Sequence, residues 1–350
     1  MRKSKRVAAM AFIATFGLIA AACGDDKKSD TTTAPEETTA STVAPSDLKL
    51  GVAFDTGGRG DGTFNDAAGR GADQAAAELG ATVQEIEATV EDDRKPNLEA
   101  LTAAGNNPVI VVGFAFGDAL LEVAAANPDT VYGWVDGYAE APNIKVLSFK
   151  ANEGSFMVGA AAALKCACDK IGFIGGQEIP LIKEFEAGYI AGAKAVNPDI
   201  TVESQYLGAA GDNAAWGSPD KAKEIALGWY ADGVEVIYSA AGGSGNGTIE
   251  AAVEADKWAI GVDSDQYLTA TPEQQAHILT SMLKRVDVAV FETAKAVQAG
   301  DLTGGFKVFD LSVDGVGYST SGGYLDEFAA QLDELKAKIV SGEIVVPTTP

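Results

Sequence analysis

The stretch LKLGVAFDTGGRGDGTFN (48–65) joins a short apolar run to a loop rich in glycine and aspartate. The run at 48–54 predicts a buried strand, and the residues after the loop predict a helix over 65–79. Further predicted strands cover 82–88, 108–114, 131–137, 144–150, 170–176, 201–207, 234–241 and 257–264. Further predicted helices cover 117–126, 154–165, 182–196, 219–231 and 246–254. This alternation is typical of an α/β fold with parallel sheets covered on both faces.

Nine such strands fit either one wide sheet or two smaller ones. The series breaks near residue 151, which favours two doubly wound lobes. We expect an N-terminal lobe at 48–150 with part of about 265–300. We expect a C-terminal lobe at 151–262 with about 301–345. The segment 305–350 has a strand-like GFKVFDLSV and a helix near 323–340, and it is expected to complete the second lobe.

Charge and composition exclude several classes of function. The 350 residues include 26 basic and 50 acidic side chains, which gives a formal charge of −24. Nucleic acid or an anionic bilayer needs a cationic face, so neither is an expected partner. With one histidine and three cysteines, a histidine-dependent triad or a Cys/His zinc site is not expected. We predict no metal and no cofactor.

The N-terminus has the pattern of a secretion signal. Four basic residues within 1–6 precede an uncharged run at 7–22, which is too short to span a bilayer. The run ends in LIAAAC, which resembles a bacterial lipobox, so residues 1–22 are a predicted signal peptide and Cys23 a predicted lipidation site. A plain signal peptide with a chance cysteine is the alternative. Residues 23–47, rich in Ser, Thr, Ala and Pro, are a predicted disordered tether.

Two further cysteines, Cys166 and Cys168, follow the apolar run SFMVGAAAAL (155–164). A metal would need more ligands nearby than the sequence offers. Two packed thiols are preferred over a strained local disulfide.

Polar and aromatic residues cluster just after the predicted strands. Examples are the loop 55–65, Asp136 after 131–137, Trp216 beyond 201–207, and Asp263 at the end of 257–264. In open α/β sheets, ligands bind outside the carboxyl ends of the strands. The repetition therefore predicts a small-molecule site at this edge.

Two glycine-rich loops can each be interpreted in two ways. Phe64, at the end of DTGGRGDGTFN (55–65), either faces a ligand or acts as a hydrophobic staple for the following helix. The loop lacks G-x-G-x-x-G spacing, and its acidity opposes phosphate. AGGSGNG (241–247) is either a backbone cradle for a polar ligand or a flexible turn, and it lacks the Lys-Ser/Thr ending of a Walker loop.

The loop 55–65 resembles the D-x-G-G-x-x-D-x-S-F-N signature of the basic membrane protein family of ABC-transporter lipoproteins, the purine-nucleoside receptor type. Thr63 stands at the serine position and keeps a hydroxyl. Further matching blocks in order are VVGFAFGDAL (111–120), GSFMVGAAAAL (154–164), IGFIGGQEIPLIKEFEAGY (171–189), AAGGSGNG (240–247), IGVDSDQ (260–266) and TSMLKRVD (280–287). The resemblance implies a type I periplasmic binding protein, with two lobes, a three-stranded hinge and ligand in the cleft.

The resemblance also implies roles for individual residues. Phe64 and Trp216 correspond to two rings that stack on a purine from opposite lobes. Asp263 and Lys284 resemble the groups that bind ribose hydroxyls, and Gly243 supplies a backbone contact. An ion pair between the lobes is the alternative role for Asp263 and Lys284.

Three more positions complete the implied site. Asn65 and Asp136 resemble the groups that hydrogen bond to the edge of the base. Asp55, the first residue of the loop 55–65, belongs to the same site. Several carboxylates beside one lysine disfavour a phosphate, so a neutral nucleoside is expected rather than a nucleotide.

The resulting hypothesis is a lipid-anchored receptor without catalysis on the extracytoplasmic face of the cell membrane. It would bind a purine nucleoside as a monomer and deliver it to an ABC permease with a separate ATPase. One alternative keeps the fold but binds a sugar or another small polar metabolite. The other is a nucleoside-hydrolysing enzyme that uses Asp55, Asp61 or Asp263 as acid or base.

Overall fold

A computed structural model describes residue 44 and residues 46–166, 168–301 and 303–350. The predicted signal peptide, Cys23 and nearly all of the predicted tether lie outside these residues. Within the described part, no helix is long and apolar enough to cross a membrane.

The strands and helices alternate along the chain. The strands are β1 (Lys49–Phe54), β2 (Thr82–Glu87), β3 (Val109–Val112), β4 (Tyr132–Val135), β5 (Ile144–Phe149), β6 (Lys170–Gln177), β7 (Thr201–Gly208), β8 (Val236–Ala240), β9 (Trp258–Asp263), β10 (Ile278–Lys284), β11 (Gly305–Phe309) and β12 (Val316–Tyr318). The helices are α1 (Phe64–Leu79), α2 (Arg94–Ala103), α3 (Gly117–Ala126), α4 (Ala151–Cys166), α5 (Pro180–Val196), α6 (Pro219–Ala231), α7 (Gly245–Ala255), α8 (Pro272–Gln275), α9 (Val286–Gln298) and α10 (Ala329–Val340).

The strands form two six-stranded sheets, which confirms the predicted α/β fold. The first has the order β11-β5-β4-β3-β1-β2 and is parallel throughout. The second has the order β12-β10-β9-β8-β6-β7, with β12 antiparallel to β10. Central strands such as β1 and β3 are buried on both faces, which explains their continuous apolar sequence. We call each sheet with its covering helices a lobe.

The prediction that 301–345 belongs with the second lobe is wrong for β11. This strand runs parallel to β5 at the edge of the first sheet. The reason lies in the preceding helix, because α9 packs against α1 of the first lobe and so returns the chain to that side. β12 and α10 do lie with the second lobe, where α10 packs on α4. The helices α2, α8 and α9 and the strands β10 and β12 were missing from the predicted elements.

Within the described residues, the chain passes between the two lobes three times: from β5 to α4, from β10 to α9, and from β11 to β12. Backbone hydrogen bonds join these segments, from Lys150 N to Phe309 O and from Arg285 N to Gly315 O, both at 2.9 Å. The rings of Phe149 and Phe309 stack with centroids 5.0 Å apart. The three crossings match the expected three-stranded hinge.

The apolar run 155–164 lies in α4, which is buried along most of its length. It packs closely on α5, and a Cβ at Gly192 would lie 1.9 Å from the carbonyl oxygen of Phe156. Cys166, the last residue of α4, is joined to Cys168 by a disulfide with Cα atoms 5.0 Å apart. The preferred prediction of two packed thiols is therefore wrong, because this Cα separation lies within the range that a disulfide spans.

Candidate ligand-binding site

A cavity lies between the two lobes at the carboxyl ends of their strands. It encloses about 760 Å³, part of it open to solvent. In both sheets the strand order reverses beside it, between β1 and β3 and between β6 and β8, where open α/β sheets bind ligands. All eight predicted site residues line this cavity: Asp55, Phe64, Asn65, Asp136, Trp216, Gly243, Asp263 and Lys284.

The loop between β1 and α1 is held by its own carboxylates. Asp61 accepts hydrogen bonds from the backbone N–H groups of Thr63, Asn65 and Asp66 at 2.8–3.1 Å. Burial raises the pKa of Asp61, and these backbone donors partly offset the rise. Asp66 in turn accepts from the N–H groups of Gly60 and Gly62, each at 2.8 Å. Phe64 and Asn65 therefore begin α1 from a loop fixed by hydrogen bonds.

Asn65 presents a free acceptor in this buried setting. Its side-chain amide donates to Asp61 Oδ2 at 3.2 Å, and the residue is 5 % exposed. Among the described residues, its Oδ1 has no hydrogen-bond partner. A buried acceptor without a partner costs free energy, so a ligand N–H would be stabilising here.

Asp55 is held from behind by a buried arginine that the sequence did not reveal. Arg94, in the first turn of α2, donates from Nε to Asp55 Oδ1 at 3.0 Å. The backbone N–H of Thr56 donates to the same oxygen at 2.8 Å. Both donors occupy Oδ1, and Oδ2 lies nearer Gly113 at the cavity wall.

Lys284 and Asp136 form a buried ion pair between the lobes. The Nζ of Lys284, at the end of β10, donates to Asp136 Oδ2 at 2.6 Å, and the two side chains are 2 % and 6 % exposed. The ammonium also lies 4.9 Å from the ring centroid of Phe64 and 5.1 Å from that of Phe149. The expected alternative was an ion pair between the lobes formed by Lys284 and Asp263. These two residues lie on adjacent strands of the second lobe, β10 and β9, and within the described structure Lys284 pairs with Asp136 of the first lobe.

Asp263 is a buried carboxyl beside this ion pair. Burial raises the pKa of Asp263 to about 7, with Lys284 opposing the rise and Asp136 and Asp61 adding to it. Asp263 and Asp136 both adopt left-handed backbone conformations, with φ of 63° and 58°. Such conformations are uncommon outside glycine and gather at ligand sites.

Trp216 lines the cavity from the second lobe. It ends a short 3-10 helix at Asn213–Trp216, and its ring packs on the backbone of β6. A Cβ at Gly176 would lie 2.2 Å from a ring carbon, so a side chain there would displace the ring. Its backbone carbonyl lies against Gly243, which also lines the cavity.

A hydrogen-bonded contact beside the cavity bridges the lobes. Ser264, directly after β9, donates to the carbonyl oxygen of Thr63 at 2.6 Å. It accepts from Arg70 Nη2 on α1 at 2.8 Å. Ser264 is 5 % exposed, so this contact is shielded from water.

Sequence reasoning missed part of the wall. Leu181, Ile182 and Phe185 line the cavity from the start of α5. Their spacing on the helix is that of an ordinary core face, so no local signal separates them from core residues. Among the described residues, no group of three or more His, Cys, Asp and Glu side chains is placed to hold a metal ion.

A family model described as "ABC transporter substrate-binding protein PnrA-like" matches residues 48–350. The chain belongs to this family. A CD4+ T-cell-stimulating antigen of Listeria innocua is 35 % identical over the full length of both chains. The ABC transporter nucleoside-binding protein BmpA of Lactococcus lactis is 32 % identical, over 86 % of this chain and 90 % of its own.

Solved structures agree with the family assignment. An ABC transporter solute-binding protein from Aeropyrum pernix superposes with a TM-score of 0.75 at 28 % identity, covering 86 % of this chain and 94 % of its own. A protein of the PnrA-like family is the substrate-binding part of an ABC transporter, which implies a small-molecule ligand, a permease partner and a place outside the cytoplasm. The family binds substrates, and the comparisons indicate no catalytic function.

Proposed function

We propose that the chain binds a purine nucleoside in the cavity between its lobes and delivers it to an ABC permease. The observation that supports this most is the joint placement of two aromatic rings from opposite lobes, Phe64 and Trp216, in one cavity with buried polar groups. A planar base between two rings gains about 1–3 kcal/mol per stacked ring. The name of the Lactococcus lactis relative points to the same class of ligand.

The polar groups divide into two sets. Asn65, with its unpaired Oδ1 among the described residues, and Asp55 would accept from N–H groups of the base. Lys284 and Asp263 would bind the ribose hydroxyls. The resemblance assigned Asp136 to the base edge, but its 2.6 Å contact with Lys284 leads us to place it at the ribose end.

The charge of the cavity selects against phosphate. Among the described lining residues, four are carboxylates and one is a lysine already paired with Asp136. A nucleotide would bring a dianion into this surrounding, where it has no free cation to meet. The proposal is therefore a neutral nucleoside.

The test is isothermal titration of the chain from Cys23 onward, with Cys23→Ser to keep it unlipidated. The protein is unfolded and refolded first, so that a co-purified ligand is removed. We expect saturable binding of adenosine, guanosine or inosine, but not of cytidine or ribose. Phe64→Ala and Trp216→Ala should each weaken binding, whereas Phe306→Ala, at a half-exposed ring in β11, should not.

Two results would contradict the proposal. If a folded, ligand-free sample gives no binding heat with any purine nucleoside, the ligand assignment is wrong. If neither Phe64→Ala nor Trp216→Ala changes the affinity, the ligand does not bind between these two rings. A saturable signal with ribose alone would instead favour a sugar ligand.

We further propose that residues 1–22 are removed, that Cys23 carries lipid, and that residues 23–47 tether a monomeric receptor to the outer face of the membrane. Cell fractionation tests this. The unchanged protein should sediment with membranes, and Cys23→Ser should release it. Release of both proteins alike would contradict the anchor.

A further inference from the structure

A second cavity adjoins the first and shares three of its lining residues, Phe114, Asp136 and Leu181. It encloses about 980 Å³, including space open to solvent. Its other lining residues are Gly137, Tyr138, Ser148, Phe149, Ile179, Pro180 and Glu184. Both lobes contribute, so it is a continuation of the cleft and not a pocket inside one lobe.

The second cavity begins at the ion pair of Lys284 with Asp136. Asp136 lies on the boundary between the cavities, and Lys284 Nζ lies 5.1 Å from the ring centroid of Phe149, which lines only the second of them. If Lys284 binds the ribose, as the proposed function has it, the ribose end of the ligand faces this opening.

The walls of this cavity are mainly apolar and well supported. Phe114, Phe149 and Leu181 supply hydrocarbon surface. Tyr138 is 61 % exposed, but its ring packs edge to face on Trp134 at 4.8 Å. Its hydroxyl also rests on the backbone of α3, since a Cβ at Gly117 would lie 1.8 Å from it. Tyr138 is therefore supported on two sides despite its exposure.

The charges at the rim are balanced. Asp136 is paired with Lys284. Burial raises the pKa of Glu184, and the nearby Lys150 and Lys284 oppose the rise. A cationic substituent on a ligand would compete with these lysines for the carboxylates. An anionic substituent would be repelled by Glu184 and Asp136. An uncharged apolar group fits this surrounding best.

We propose that the second cavity is a subsite for an uncharged apolar substituent on the 5′ carbon of the ribose. The ligands would then include 5′-alkylthio nucleosides as well as unmodified ones. This inference rests on the proposed function, because it takes the nucleoside and the position of its ribose end from there. The choice of the 5′ carbon belongs to this inference.

The experiment titrates the unlipidated chain with adenosine, guanosine and inosine, and with the 5′-deoxy-5′-methylthio analogue of each. We expect the analogue of the bound nucleoside to bind within about threefold of its parent. The apolar contacts of its methylthio group with the second cavity should offset the loss of the 5′ hydroxyl. Ser148→Leu, which fills the second cavity, should weaken the analogue by about tenfold or more and leave the parent unchanged.

The controls distinguish filling of the second cavity from a general disturbance of the fold. Ser204→Leu makes the same change at an exposed position of β7, away from both cavities, and should affect neither ligand. Ile179→Phe fills the same cavity from the other lobe and should repeat the effect if Ser148→Leu does not fold. Thermal unfolding of each variant shows whether it is folded.

Three outcomes would overturn the inference. One is an analogue bound more than about tenfold weaker than its parent by the unchanged protein. A second is equal weakening of parent and analogue by the filling variants, and a third is no weakening of either. If none of the parents binds, the proposed function itself has failed and the inference falls with it, a result distinct from parent binding without analogue binding.

Discussion

The two lobes build their halves of the cavity in different ways. The first lobe uses a loop, 55–65, whose shape is set by hydrogen bonds to its own Asp61 and Asp66. The second lobe uses Trp216, whose ring lies on the bare backbone of Gly176. The first half is held by hydrogen bonds within its own loop. The second is held by packing and by hydrogen bonds to residues distant in sequence, such as that from Ser244 Oγ to the carbonyl oxygen of Ala215 at 2.8 Å.

This difference separates what each lobe can do alone from what needs both. The loop with Phe64 and Asn65 keeps its hydrogen bonds in either arrangement of the lobes, because its acceptors are local. Lys284 and Asp136 come from different lobes and pair only when these are close. We infer that the first lobe presents a ready surface for the base of the proposed nucleoside ligand, while the part of the site proposed for the ribose is completed on closure.

The largest expected effect comes from the buried ion pair. Lys284→Met leaves the Asp136 carboxylate buried without its partner, and breaking such a pair costs about 3–5 kcal/mol. We expect the free energy of unfolding to fall by about that amount and nucleoside binding to be lost. Denaturant unfolding and titration calorimetry measure the two effects.

The control for this variant removes both charges. Lys284→Met with Asp136→Asn should recover most of the stability, since asparagine tolerates the left-handed backbone at 136. It should not recover binding. A single variant as stable as the unchanged protein would show that solvent screens the pair, contrary to its burial.

Much of the site could be predicted from the sequence because parallel strands end at one edge. Asp55 directly follows β1 and Asp263 ends β9, so their positions along the chain already place them at the same edge of each sheet. The motif resemblance added Lys284, for which strand periodicity gave no signal. Their presence in one cavity follows from the fold, and their role as ligand contacts remains a proposal.

Other features depend on contacts distant in sequence. Arg94 supports Asp55 from 39 residues away, and nothing near it marks a buried arginine. β11 joins the first sheet because α9 packs on α1, which no local pattern encodes. The 305–309 sequence predicts a strand equally well for either lobe.

The loop of the first lobe provides the next test. Asp61→Ala removes the acceptor for three backbone donors and for the Asn65 amide. Hydrogen bonds to a charged group contribute about 1.5–3 kcal/mol, so we expect a loss of about 2 kcal/mol in stability and weaker binding. Asp73→Ala, which removes an exposed ion pair of Arg59 on the same lobe, should cost less than about 1 kcal/mol. Equal effects would show that the loop is not held by Asp61.

The pH dependence of Asp263 tests the second lobe. With a pKa of about 7 in the folded protein, above the ordinary value of 3.8, the folded state holds this proton more tightly. The contribution of protonated Asp263 to the free energy of unfolding is therefore full below about pH 4 and is lost as the pH rises through about 7. Ligand binding should have the opposite trend, because the ionised carboxylate is the stronger acceptor. We expect affinity to rise about tenfold between pH 6 and 8.

Asp263→Asn is the matched variant, because it keeps the shape and tolerates the left-handed backbone. It should flatten both pH profiles. Profiles of stability and affinity that keep their slopes in this variant would assign the titration to another group, with Asp61 the first to examine because burial raises its pKa as well.

The smallest expected effect concerns the contact that bridges the lobes at Ser264. Ser264→Ala removes its hydrogen bond to the carbonyl of Thr63, which contributes about 0.5–1.5 kcal/mol. Because this bond forms only in the closed arrangement, the loss should appear as faster ligand dissociation with an unchanged association rate. Stopped-flow fluorescence of Trp216 measures both rates. Ser321→Ala removes a serine hydrogen bond to Asp265 within the second lobe and should leave both rates unchanged. Equal effects of the two variants would show that the change in dissociation rate does not come from the contact between the lobes.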